Sequence, residues 1–439
     1  ELDTDIEDLI QREDMVVTVS HSGYIKRVAL SSYRAQRRGG KGRAGMSTRD
    51  EDFVSQVFVC NTHTPVLFFS SRGIVYRLKV YRLPEGNPQA RGKALINLLP
   101  LQEDETITTV MPMPEDEESW GDLFIMFATA SGGIRRNRLS DFTNIMANGK
   151  IAMKLDEGDE LIGVQTCSED QDIMLAADSG KCIRFPVTEV RIFSGRTSTG
   201  VRGIRLADGQ KIVSMTMIDH VELETDIRDA YLRMSKARRR LPEEEDETAQ
   251  DGVEAADDAG DDTASQHVSL TDEEFDALSE KEQFILTVTE NGYGKRTSAF
   301  EYRTTRRGGQ GVVNIATEGR NGAVAASFPV EDGDQIMLVT NGGKIIRSPV
   351  ADIRIAGRST QGVTLFDTAE DEKVVSVAHL LESDEPEESE DDIVNGVEGA
   401  EASAAEDKAA PDAPEGSDEA RGPSEDDAAD DVDDTTRDA

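Results

Sequence analysis

A glycine followed four positions later by an arginine occurs as Gly23/Arg27, Gly73/Arg77, Gly132/Arg136, Gly180/Arg184, Gly292/Arg296 and Gly343/Arg347. Successive arginines lie 50, 59, 48, 112 and 51 residues apart. The long interval contains an acidic stretch of 61 residues, 222–282, and without it 51 remain. A period of roughly fifty residues marks a repeat architecture and falls in the range of propeller blades. Each unit opens with an apolar run: MVVTV (15–19), VLFF (66–69), LFIMF (123–127), IMLAA (173–177), FILTV (284–288) and IMLV (336–339). A Ser-Gly or Asn-Gly type turn follows, then a short strand carrying the arginine, which together read as a β-hairpin. A longer loop ends in a second glycine, at Gly42, Gly92, Gly149, Gly200, Gly311 and Gly362, and more β-prone sequence closes the unit, as in VVSVAHL (374–380). These units predict an all-β fold of six small antiparallel sheets set radially, each burying its faces on its neighbours. An open row of β-sandwich-like modules is the alternative.

The formal net charge is −39, but it is unevenly placed. Residues 222–282 hold 21 acids and 7 bases, and residues 382–439 hold 24 acids and 3 bases. The other 320 residues carry only −4, so the repeat region has room for a basic face. Within 222–241 the residues Leu223, Ile227, Ala230 and Met234 recur at helical spacing. Thr271 followed by Glu274 predicts a capped helix over 271–282. Residues 242–266 and the tail from Glu382 have too little apolar surface to order themselves. The expected organisation is blades 1–4 over 1–221, an acidic helical and disordered insertion over 222–282, blades 5 and 6 over 283–381, and a disordered acidic tail over 382–439.

Several chemistries are missing. There is no P-loop pattern. The histidines His21, His63, His220, His267 and His379 are isolated, with no metal-ligand spacing. Cys60, Cys167 and Cys182 are scattered, which fits a reducing compartment and small apolar strand positions. Trp120 reads as a packing residue. No apolar run reaches the ~20 residues of a membrane span, and no signal peptide is visible. The chain starts at Glu1 rather than Met, as expected of a piece of a longer protein. No catalytic residue and no metal site is assigned.

What remains is a set of basic loops. The first reads QRRGGKG: Gln36, Arg37, Arg38, Gly39, Gly40, Lys41 and Gly42, followed by Arg43. Later loops offer Arg91 and Lys93, then Lys150, then Arg196, Arg202 and Arg205, then Arg303, Arg306 and Arg307 with Gln310, and finally Arg358. If the loops are equivalent, these cations fall around one rim and suit a polyanion that bends as it passes. Arg and Lys meet phosphates, and glycine admits a close backbone approach. Bending ~20–30 base pairs by 40–90° costs roughly 1–6 kcal/mol, and a half-turn on the order of 10. At about 1 kcal/mol per cation, three cations are too few and ten or more contacts are needed. Few Asn or Gln residues accompany the cations, so base readout is not implied. The strand arginines Arg27, Arg77 and Arg184 read either as further polyanion contacts or as solvated charges that block edge pairing.

QRRGGKG at 36–42 resembles the gyrase A box, the hallmark of the C-terminal domain family of the DNA gyrase A protein. So do EDFVSQVFVCNTHTPVLFFSSRGIVYRLKVY (51–81), ARGKALINLLPL (90–101), DELIGV (159–164), TGVRGIRL (199–206), NGYGKRT (291–297) and the acidic tail. The resemblance implies a six-bladed β-pinwheel, a propeller-like disc whose blades exchange strands. It implies that double-stranded DNA wraps around a basic rim, that the box on the first blade closes the disc against the last, and that the wrap gives a positive crossover used for negative supercoiling. It places the catalytic tyrosine in a part preceding Glu1, ATP and Mg2+ use elsewhere in the holoenzyme, and ATP hydrolysis in the gyrase B protein. It also implies an A2B2 holoenzyme, in which the partners are the N-terminal part of gyrase A together with gyrase B, and a cytoplasmic, nucleoid-associated location. The alternatives are the equivalent domain of topoisomerase IV, which lacks an intact box, and a propeller scaffold for protein partners. The acidic insertion departs from the family's commonest pattern and is expected to loop outward, leaving the disc intact. Limited proteolysis, followed by mass spectrometry, is expected to cut within 243–265 and release a compact six-unit core.

Overall fold

The computed structural model of the protein describes residues 6–35, 52–240, 268–342 and 344–380. The six apolar runs become core strands: Asp14–Ser20, Pro65–Ser70, Phe124–Thr129, Gln171–Ala177, Phe284–Thr289 and Gln335–Thr340. Each pairs antiparallel with an outer strand that follows the hairpin glycine: Tyr24–Ala29, Ile74–Lys79, Gly133–Arg138, Lys181–Pro186, Tyr293–Ser298 and Ile345–Pro349. On its other side each pairs with an inner strand: Val54–Asn61, Ile107–Pro112, Leu161–Cys167, Ile212–Asp219, Val324–Val330 and Val374–Leu380. A register shift interrupts every core–inner pair at the same place, the first at Val19/Ser20 and the last at Val339/Thr340. Such a bulge bends a strand and adds twist, here identically in all blades.

Core strands are buried on both faces because each face meets a different neighbour. All of Pro65–Ser70 is buried. Its Val66 and Phe68 pack with Met15 and Val17 of the first blade, while Leu67 and Phe69 pack with Ile125 and Phe127 of the third. This is the two-residue alternation of a strand used twice. Among the described residues, five such clusters span successive blades. Each fully buried apolar side chain in them contributes roughly 1.5–3 kcal/mol. The ring closes where the inner strand Val374–Leu380 of the last blade meets Val54–Asn61 of the first. The architecture is therefore the expected six-bladed propeller, closed rather than an open row.

The blades also exchange strands. Lys93–Ala94, from the loop of the second unit, forms the edge of the first sheet. Lys150–Ile151, Val201–Arg202, Val312–Val313 and Val363–Thr364 do the same for the second to fifth. The register is constant: the residue after the second glycine pairs with the residue two after the preceding hairpin glycine, as in Lys93↔Ile25, Lys150↔Val75, Val201↔Ile134, Val312↔Cys182 and Val363↔Gly294. Among the described residues the sixth sheet has three strands. The glycines before the added strands have φ between 76° and 85°. A Cβ on Gly92, Gly200, Gly311 or Gly362 would overlap the carbonyl oxygen of the strand it lies against. Glycine is thus required twice over, by conformation and by approach.

The insertion departs from the expectation that it only loops outward. Helices Thr225–Arg240 and Asp272–Ser279 pack together, and their Tyr231 and Phe275 join Phe300 of the fifth blade in one buried cluster. Thr271 and Glu274 form the expected reciprocal cap. Residues 241–267, like the tail from residue 381, lie outside the described residues. Contacts divide the chain between Glu385 and Pro386, and every described residue lies on the N-terminal side. Among the described residues no helix is long and apolar enough to cross a membrane. Gly311→Ala is expected to destabilise the fold by about 2–4 kcal/mol, through backbone strain and overlap with Cys182. Gly158→Ala, with a similar φ of 80° but open space around it, is expected to cost about 1 kcal/mol, and urea unfolding midpoints compare the two.

Candidate nucleic-acid interface

Among the described residues five loops form the rim, each running along the outer strand of the preceding blade and ending in the added strand. Its start is pinned at the repeat arginine. Arg27, Arg184 and Arg296 form parallel backbone bridges with Glu85, Thr304 and Ile355 of the incoming loop. Arg136 pairs in parallel with Ile192. The same side chains reach across the blade junction. Arg27 Nε donates to Leu83 O at 3.0 Å, Arg77 donates to Thr143 O and Glu117, and Arg296 Nε donates to Ile353 O at 2.7 Å. Arg184 Nε donates to Asp172 Oδ2 at 2.7 Å, while its Nη1 and Nη2 donate to Ala299 O at 2.8 Å and Asp219 O at 3.1 Å. Asp172 is fully buried and also meets His220 Nδ1 at 2.8 Å.

The repeat arginines are therefore neither of the things the sequence offered. Arg27, Arg77, Arg136, Arg184 and Arg296 have side chains only 5–14% exposed. Arg27, Arg77, Arg184 and Arg296 are fasteners between blades, while the Arg136 side chain meets Glu169 of its own unit. Arg347 of the sixth blade is exposed and bonds Gln335. Residues 36–51 of the first unit lie outside the described residues.

The loop cations divide into two groups. Arg196, Arg307 and Arg358 each stand four residues before a second glycine and are half-buried. Each sends Nη1 to the carbonyl of the strand added one blade earlier: Arg196 to Ile151 at 2.8 Å, Arg307 to Arg202 at 3.0 Å and Arg358 to Val313 at 2.6 Å. The loops ending at Gly149, Gly200, Gly311 and Gly362 are thereby stapled into one band. Arg205 N adds a bond to Gly309 O at 2.8 Å. The second group faces solvent: Lys93, Lys150, Arg202, Arg205 and Arg306 are exposed. Arg91 is half-buried and stacks 3.6 Å over the ring of Tyr24. Gln36 to Gly42 and Arg43 lie outside the described residues.

Sequence reasoning missed Arg354 and a buried set of cations. Arg354 and the expected Arg303 are exposed on the band, each eight residues before a second glycine. Their shared offset was the available signal. Lys26, Arg135 and Lys295 are fully buried, each immediately before a repeat arginine, so the dipeptides Lys-Arg, Arg-Arg and Lys-Arg carried the signal. The thiols offer little reactivity: burial pushes Cys60, Cys167 and Cys182 up to about 12. Trp120 is fully buried and donates Nε1–H to Pro114 O at 2.9 Å, a packing role.

Among the described residues the arrangement offers a long cationic band, a surface suited to an extended polyanion. The chain matches the family described as DNA gyrase C-terminal domain, beta-propeller, over residues 14–61, 64–112, 124–168, 171–219, 283–331 and 334–379. These segments coincide with the six blades. It is 51% identical over 399 residues to the DNA gyrase A protein of Rickettsia bellii, covering 90% of this chain and 42% of that protein. It is 40% identical over 395 residues to the DNA gyrase A protein of Escherichia coli, covering 90% of this chain and 37% of that protein. The chain thus spans about two fifths of these curated relatives. Among solved structures it is similar in fold to the C-terminal domain of DNA topoisomerase IV, with TM-score 0.64 and 22% identity over 85% of this chain and 95% of that one. It is also similar to a DNA gyrase A C-terminal domain, with TM-score 0.54 and 21% identity over 84% of this chain and all of that one. Arg184→Met is expected to cost about 3–5 kcal/mol in denaturant unfolding, because it leaves Asp172 buried without its guanidinium. Arg306→Ala, on the solvent side of the band, is expected to stay within about 0.5 kcal/mol of the parent.

Proposed function

Since the chain belongs to the DNA gyrase C-terminal domain, beta-propeller, family, we propose that it binds duplex DNA along its rim and wraps it. Within a holoenzyme of gyrase A and gyrase B, the wrap would present a positive crossover, and strand passage, driven by ATP with Mg2+ elsewhere in that assembly, would then introduce negative supercoils. The observation that carries this reading is the stapled band. Arg91, Lys93, Lys150, Arg196, Arg202, Arg205, Arg303, Arg306, Arg307, Arg354 and Arg358 follow one another along it, eleven cations among the described residues. Seven of them, Lys93, Lys150, Arg202, Arg205, Arg303, Arg306 and Arg354, are exposed, and at about 1 kcal/mol each they supply most of the roughly 10 kcal/mol of a half-turn of DNA. Gyrase is favoured over the topoisomerase IV equivalent by the intact box and by gyrase A relatives at 40–51% identity.

We propose that the box completes the sixth sheet, which among the described residues has three strands. By the constant register, Arg43 would pair with Ile345 and Ala44 with Lys344. Arg38 stands four residues before Gly42, the place of Arg196, Arg307 and Arg358, and would bond the carbonyl of Thr364. The box would then be the last staple of the band, and DNA crossing from the sixth blade to the first would need it. The fragment is bound to nicked circular DNA, the nick is ligated and the linking number read. The parent is expected to change linking number with a defined sign. Arg37→Ala/Arg38→Ala/Lys41→Ala is expected to abolish that change while binding linear duplex only a few-fold more weakly. An unaltered linking change in the triple variant rules out the box as closure. DNA affinity that is flat in salt rules out the rim, since many phosphate contacts demand a steep loss. Cysteines at positions 44 and 344 are expected to cross-link under mild oxidation.

A further inference from the structure

Lys26, Arg135 and Lys295 occupy one position in alternate blades, the third residue after the hairpin glycine of the first, third and fifth. All three are fully buried. Each points outward under the rim loop that covers its own blade and binds that loop by its carbonyl oxygens. Lys26 Nζ donates to Pro88 O at 2.6 Å and Asn87 O at 3.1 Å. Arg135 Nη1 donates to Arg196 O and Ser198 O, both at 2.8 Å, and Nη2 reaches Ala152 O, just past the strand added to the second blade. Lys295 Nζ donates to Gly357 O at 2.7 Å, Arg358 O at 2.6 Å and Thr360 O at 2.9 Å. Pro88, Arg196 and Arg358 each stand four residues before the second glycine of their loop. The same carbonyl is therefore held in all three blades.

Charges this deep are costly unless something stabilises the charged form. The loop oxygens just named are neutral carbonyls, which hold a cation without cancelling its charge. A carbonyl drawn inward is also removed from the surface a phosphate meets. We infer that Lys26, Arg135 and Lys295 are a concealed second tier of the DNA site: each positions a rim loop by its carbonyls and adds its own charge beneath the track. This rests on the rim being a DNA site. The low dielectric around the three side chains screens their field less than water screens that of an exposed lysine.

The tier has a pH signature. Burial brings Lys295 down to about 7, with Glu301 opposing and Arg358 reinforcing that fall, and Cys182 also facing it. Burial brings Lys26 down to about 8; the charged side chains on its strand and loop are Arg27, paired with Glu85, and Arg91, stacked on Tyr24. Burial lowers Arg135 only to about 10, so it stays charged through neutral pH. Phosphates above the loops favour the ammonium form and raise both lysine values. DNA binding then takes up protons where free protein has lost them, and affinity falls as pH rises from 7 to 9. Exposed lysines and arginines do not titrate in that window, and unperturbed histidines titrate below it.

The test uses the full 439-residue chain and a linear DNA duplex. Affinity is measured from pH 7 to 9 at fixed salt, with proton uptake from calorimetry in two buffers of different ionisation heat. The parent is expected to lose about fivefold in affinity across that range and to take up protons. Lys26→Arg/Lys295→Arg, which keeps the charge, is expected to bind as the parent does at pH 7, with the pH dependence gone. Lys26→Met/Lys295→Met is expected to bind about fivefold more weakly at pH 7, also without pH dependence. A parent with flat affinity and no proton uptake, or a Met variant that binds like the parent at pH 7, overturns the inference and leaves the rim site standing. A parent that binds no duplex at any pH overturns the rim reading itself.

Discussion

Two residues of strand, handed back from each unit to the blade before it, hold this ring together. Behind each added pair stands a glycine in the left-handed region, and at Gly92, Gly200, Gly311 and Gly362 it is pressed against the carbonyl of the strand it joins. A blade alone would have an unpaired outer edge, and an unpaired edge is a template for aggregation. The donated strand covers that edge and ties adjacent units covalently through the rim loop. Position on the rim is consequently set by hydrogen-bond register rather than by loop preference. The functional loops inherit the precision of a sheet.

The same junctions explain where the arginines go. A buried guanidinium has five donors in a rigid fork, and a loop start offers several unpaired carbonyls. Arg184 meets Asp172, Ala299, Tyr302 and Asp219 at once. Few other side chains satisfy so many acceptors from two blades. Surface ion pairs contribute little to stability, but removing one member of a buried group leaves the rest desolvated and unpaired. The chain therefore keeps two populations of cations that composition does not distinguish. One is inside, held by carbonyls and carboxylates, and the other lies along the band in water.

Net charge gives the opposite impression. The acids sit largely in the insertion and the tail, away from the repeat grammar. Part of the insertion nevertheless belongs to the folded body. Helix Thr225–Arg240 carries Arg228, Arg233, Lys236, Arg238, Arg239 and Arg240, and it is seated on the fifth blade through Tyr231 and Phe300. Arg238 is held by Asp272 and Asp276 of the following helix. The apolar face at 3.6-residue spacing foretold a helix. That it had a cluster to dock on depended on Phe300, 60 or more residues away along the chain.

The sequence by itself determined the number of units, the hairpins, the second glycines and the cap at Thr271, because each is a local pattern repeated at a fixed period or closed within one turn. It also confined the cations to loops such as 303–311. Tertiary structure alone decided which blade each loop completes and which cations face water. Arg306 and Arg307 are neighbours in sequence, yet one is exposed and the other staples two loops through Arg202. Lys295 and Arg296 are likewise adjacent and both buried, one beneath its loop and one across a junction. Side chains alternate across a strand, so neighbouring residues face different blades. What each one meets is settled only when the ring has closed.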